Sequence, residues 1–126
     1  MLNRMLAAAA VLAFLAFPLA AQAEHGASGG SDMEITGQVI DLNCHTTMGA
    51  SGPAHKQCAQ ACAKAGVGLA ILASDGNIYI PVSSKQGDAQ NSRLVAFAEA
   101  KVKVTGVHRL ANGLHTIEIK SIVAAT

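Results

Sequence analysis

Between Lys101 and Val123, apolar and polar side chains alternate about the dipeptide Asn112-Gly113. A period of two puts successive side chains on opposite faces of a strand, and Asn-Gly accepts the positive φ angles of a two-residue turn. The segment therefore reads as a β-hairpin. Its limbs run Lys101–Leu110 with Val102, Val104 and Val107, and Leu114–Val123 with Ile117, Ile119 and Ile122. The same reasoning gives a first strand over Glu34–Leu42, following Met33, Ile35, Gly37 and Val39. Val67–Ala73 and Asn77–Val82 form two more strands about the turn Asp75-Gly76.

The remaining segments have helical grammar. Gly49–Gly66 reads as a helix capped by Ser51 or Gly52, with Pro53 at its first position, alanines in its body and Gly66 as its stop. Lys85–Asn91 is a polar loop. Ser92–Ala100 reads as a short helix, with Asn91 or Ser92 as cap and Leu94, Val95 and Phe97 as its apolar contacts. A helix between the third and fourth of five strands is the order of an OB-fold. The expected fold is mainly β with short helices: a five-stranded OB-like barrel with a Cys/His-bearing helix inserted between strands 1 and 2. The closing KVKVTGVHRLANGLHTIEIKSI resembles the last hairpin of small exported bacterial OB-fold proteins, and ITGQVIDL resembles their first strand. The stretch DLNCHTTMGASGPAHKQCAQACAKAG, residues 41–66, is similar to one in uncharacterised small exported bacterial proteins, a resemblance that bears on fold and leaves function open.

Met1–Ala23 reads as a secretory signal peptide. Arg4 supplies the positive charge, Leu6–Leu19 the apolar run, and Ala21-Gln22-Ala23 the small-x-small cleavage pattern that makes Glu24 the new N-terminus. Residues 24–32 form a Gly/Ser-rich lead-in, and residues 33–126 one OB-like domain. The expected address is periplasmic or secreted, with no membrane attachment after cleavage. With only 13% charged residues and a net charge of +1, nothing favours a nucleic-acid partner. Beyond the signal segment Tyr79 and Phe97 are the only aromatics, too few for a stacking platform.

Chemistry concentrates in Cys44, His55, Cys58 and Cys62. At about 100° per residue, His55, Cys58 and Cys62 fall within an arc of about 60° on one helix side. Cys44 ends the first strand, and a short loop brings it over that side. Three thiolates and an imidazole make a soft four-ligand set suited to zinc, or to copper(I) with fewer ligands engaged. His45 and Met48 are additional ligands in reach, and Asp41 is a carboxylate able to steady His45 or His55 from behind.

Two other readings use the same cysteines. Cys58 and Cys62 can pack their helix on the barrel beside Ala54, Ala61 and Ala65. Alternatively, Cys44 pairs with Cys58 or Cys62 in a disulfide, leaving an odd thiol in an oxidising compartment. A Cys58–Cys62 bond is disfavoured, because Cβ atoms at i and i+4 stand about 5–6 Å apart against roughly 3.5–4.5 Å in a disulfide. His108 and His115 flank the hairpin turn and read as solvated strand-end residues, able to form a weak metal patch if they pair across it. The expected function is a periplasmic or secreted protein holding copper or zinc through a Cys3His cluster, its partners a metal ion and a periplasmic protein. The alternatives are a disulfide-stapled OB module that binds a protein or small ligand, and a small haem or redox protein. Neither a nucleophile–base pair nor paired carboxylates suggest an enzyme.

Overall fold

The structure, a computed structural model, describes residues 29–126, so the expected signal segment lies outside the described residues. Strand β1 (Ser31–Asp41) leads into helix α1 (Leu42–Met48), a 3-10 turn Pro53–His55 and helix α2 (Lys56–Lys64). Strands β2 (Leu69–Ala73) and β3 (Ile78–Val82) follow, then α3 (Asn91–Leu94) with a 3-10 turn Val95–Phe97, and finally β4 (Lys101–Ala111) and β5 (Leu114–Ala124). The strands close into a barrel in the order β1-β2-β3-β5-β4. Neighbours are antiparallel except β3 and β5, whose parallel pairing shuts the barrel. This is the expected OB-like architecture, with the Cys-bearing helix between β1 and β2 and α3 between β3 and β4.

Closure depends on β1 serving two neighbours. Residues Ser31–Gln38 pair with β4 and Gly37–Asp41 with β2. Gly37 stands at the overlap, where a Cβ would run into the Leu72 carbonyl oxygen. Gly106 plays the matching part at the bulge after Thr105, against the Glu118 carbonyl. The period-two residues Ile35, Val39, Ile71, Tyr79, Val102, Val104, Ile117 and Ile119 fill the interior, and Leu94 of α3 plugs it. Ile40 and Ala70 face outward as a cross-strand pair, yet both are fully buried, as is Ala59 of α2. The insert packs on β1 and makes a second small core there.

Several boundaries move. Strand β1 begins at Ser31, inside the expected lead-in, because Ser31 and Asp32 pair with His108 and Val107 of β4. It stops at Asp41, and Leu42–Met48 is helix instead of strand end and loop. The side chain of Asp41 accepts the Cys44 N–H as N-cap, and Gly49, at φ 67°, ends the helix by donating to the Cys44 and His45 carbonyls. The expected helix Gly49–Gly66 shrinks accordingly, since Gly49 belongs to the preceding cap. Gly66 does stop it, in a Schellman arrangement with Gly66 N–H on Ala63 O and Val67 N–H on Cys62 O. Ser92–Ala100 is helical only to Phe97. Beyond it, Glu99 donates its N–H to Val39 O and Val39 donates to Ala100 O, so sheet pairing wins over local propensity. Asn91 does not cap α3 with its side chain, which ties Leu69 N–H, Ala63 O and Val67 O together.

Candidate metal centre

Helix α2 presents two adjacent stripes. Ala59 and Ala63 are buried toward the barrel, and Gln60 anchors that side by donating to Val95 O at 3.2 Å. The packing role expected beside Ala54, Ala61 and Ala65 does not hold, because those three are exposed. The neighbouring stripe carries His55 and Cys62, both half-buried, and Cys58, exposed. Beside it stands α1 with Cys44, which the Asp41 cap holds in the first turn at 2.9 Å.

Cys44 is the common member of two groups. One ligand atom each from Cys44, His55 and Cys58 lies within 4.8 Å of the others, and so does one each from Asp41, Cys44 and Cys62. Each of the other three expected ligands shares a group with buried Cys44, but no one group holds all four, since Cys62 falls with Asp41 and not with His55 and Cys58. All three cysteines are free thiols. Asp41 stands closer than a steadying residue for histidine. It is fully buried, its Oδ1 accepts the Cys44 N–H, and its Oδ2 has no hydrogen-bond partner within the protein. A buried carboxylate oxygen without a donor is costly, and one oxygen of this carboxylate lies within 4.8 Å of the Cys44 and Cys62 sulfurs. Burial is the main cause that raises Cys62 from 9.0 to about 11, with the neighbouring Asp41 carboxylate and Cys58 adding to it. Cys44 is raised too, by burial first and then by the charge of Asp41.

His55 is steadied from elsewhere. Its Nδ1 donates to Glu99 Oε1 at 2.9 Å, and Glu99 Oε2 also accepts from Gly52 N–H at 2.7 Å and Gln38 Nε2 at 2.8 Å. The Glu99 side chain is fully buried and its backbone is left-handed, φ 61°. A carboxylate accepts, so Nδ1 carries a hydrogen and Nε2 is the nitrogen left for a ligand. Sequence reasoning missed Glu99, because a single Glu within AFAEAK looks like the solvent side of a helix. His45 belongs to neither group, although its Nδ1 is buried without a partner. Met48 is 70% exposed at the end of α1.

His108 and His115 are not solvated strand ends. They are half-buried, with His108 Nε2 and His115 Nδ1 3.1 Å apart and both rings edge-on to Tyr79. Among the described residues, no helix is long and apolar enough to cross a membrane. Comparison with protein-family models, with curated proteins and with solved structures finds no match.

Proposed function

We propose that this chain is an exported transition-metal-binding protein that holds copper or zinc at Cys44, Cys58, Cys62 and His55, with Asp41 completing the donor set. The observation that carries the reading is the convergence of Cys44 with His55 and Cys58 inside 4.8 Å, next to the unpartnered Asp41 Oδ2. Thiolate, imidazole and carboxylate donors suit zinc, and a subset of two thiolates and the imidazole suits copper(I). The metal's part is to replace thiol protons, which a buried thiol gives up reluctantly on its own. The protein's part is to fix the Cys44 backbone through Asp41 and the His55 tautomer through Glu99. Exposed Cys58 gives the ion a way in, whereas Cys44 is enclosed. The address, periplasmic or secreted, rests on the Met1–Ala23 pattern.

Native mass spectrometry of the exported protein, purified without chelator and paired with thiol counting, tests this. The expected result is one bound copper or zinc with three thiols released by denaturation and chelation. Cys58→Ser and Cys62→Ser should each lose the ion, and Lys56→Ala should keep it. A metal-free chain two hydrogens light, with one free thiol, would replace this reading with the disulfide-stapled module.

A further inference from the structure

The chain carries a second convergence of nitrogen ligands, far along β1 from the thiols. Asp41 at one end of β1 leads into α1, while Ser31 at the other end pairs with His108. Over ten residues a strand advances about 33 Å, less where it coils. His108 and Leu110 follow Val102, Val104 and Gly106 on the inward side of β4, and His115 lies opposite Leu110 on β5. His108 is level with its cross-strand partner Ile117, and His115 stands one inward position beyond it toward this end of the barrel.

We propose that His108 and His115 form a separate site for a borderline divalent cation of the zinc or copper(II) class, ligated through His108 Nε2 and His115 Nδ1. These nitrogens are 3.1 Å apart. Two ligands at about 2.0–2.1 Å from one ion, at angles between square-planar and tetrahedral, are separated by roughly 2.8–3.4 Å. The pair already has the spacing of one edge of a coordination polyhedron. The rings lie within 17° of parallel. Tyr79 braces both, with centroids at 5.5 Å from His108 and 5.2 Å from His115, each at 66°. Tyr79 is itself held, because its hydroxyl donates to Asp75 Oδ2 at 2.9 Å while Asp75 Oδ1 accepts the Asn77 N–H at 2.9 Å. Without an ion, one ring donates an N–H hydrogen bond to the other. To ligate, the donor ring shifts that proton to its second nitrogen, so both imidazoles stay neutral and none is lost. Hard ions such as calcium and magnesium take oxygen ligands and are excluded by the donor set. Two protein ligands leave the other positions to water, which makes this a site of exchange and not of burial.

Zinc(II) titration of the intact chain, followed by the side-chain nitrogen resonances of its histidines, tests the proposal. His55 reports on the thiol centre, so the failure of one site is distinguishable from that of the other. The expected result is that His108 Nε2 and His115 Nδ1 move together toward metal-bound positions. In His108→Gln the His115 signal should stay at its metal-free position while His55 responds as before. An unmoved His115 in the intact chain, or equal movement in His108→Gln, would overturn the site. If His108→Gln lacks a cooperative thermal transition, His115→Gln read at His108 supplies the same comparison.

Discussion

Glu99 occupies a conformation that costs a non-glycine residue of order 1–3 kcal/mol, and does so with a fully buried carboxylate. The offset is visible in its three hydrogen bonds, which join Gln38 of β1, the Gly52 turn and His55. Glu99→Gln keeps the size but sets an NH2 donor against other donors, either His55 Nδ1 or the pair Gly52 N–H and Gln38 Nε2. We expect a loss of about 1–3 kcal/mol in unfolding free energy and a fall of about 10–100-fold in zinc affinity. Chemical denaturation and competition with a chromophoric chelator read the two separately, and unchanged affinity would remove Glu99 from the site. Tyr79 offers a cleaner titration, as the only tyrosine in the chain. Burial, followed by the hydrogen bond and charge of Asp75, raises its hydroxyl above the ordinary 10.0. The folded state thus favours the neutral phenol. This stabilisation is complete below pH 10 and is lost as pH rises through the folded value. Phenolate absorbance should appear at higher pH in the folded protein than in urea, and Asp75→Asn should close part of the gap, leaving the burial effect. A folded titration at or below pH 10 would contradict this environment.

At the level of elements, Asn91 is the joint between α2, β2 and α3. Its amide donates to Ala63 O at 3.1 Å and Val67 O at 2.7 Å, and its oxygen accepts Leu69 N–H at 3.0 Å. Asn91→Ala leaves these backbone groups unpaired and should cost about 2–4 kcal/mol, against less than about 0.5 kcal/mol for exposed Ser92→Ala. Equal effects on the melting temperature would show that Asn91 only starts a helix. Helix α1 hangs on Asp41 in the same way. Asp41→Asn keeps a capping oxygen, whereas Asp41→Ala loses about 0.5–2 kcal/mol of helix stability and should speed alkylation of Cys44, which mass spectrometry of labelled peptides reads. The β4–β5 hairpin was legible from its residues, because Asn112 and Gly113 take the φ angles of 51° and 82° that the dipeptide favours. Helix α1 was not, since Thr46 and Thr47 weaken a seven-residue helix, although Asp41 and Gly49 were its caps in plain sight. His55 precedes α2 in a 3-10 turn and shares a ligand group with Cys44 and Cys58 but not with Cys62, whereas the common side of Cys58 and Cys62 followed from helical period. Glu99 could not, because its place depends on a pairing with Val39 sixty residues away in the chain.

For the molecule as a whole, the question is whether the cysteine-bearing insert is a graft on the barrel or part of what lets it fold. Leu42 N–H bonds to Gly68 O at 3.0 Å, and Asp41 and Leu69 are in register across β1 and β2. A two-residue Asn-Gly turn in place of residues 43–67 therefore completes an ordinary hairpin. The barrel interior loses only Ala63 from its core, while Ile40 and Ala70 on the outer face lose their cover. Exposing an isoleucine costs about 1.5–3 kcal/mol, and the two Asn91 bonds to the insert cost about 1 kcal/mol each. The shortened chain should keep its β-sheet circular dichroism and a cooperative transition, at a lower melting temperature that Ile40→Thr partly restores. It should take up no metal through thiols, having none. The His108–His115 pair stands at the other end of β1 and should answer zinc as in the full chain. A chain with no cooperative transition would instead make the insert a structural part of the barrel. Metal held by the thiols would then stabilise the whole fold and not one appendage.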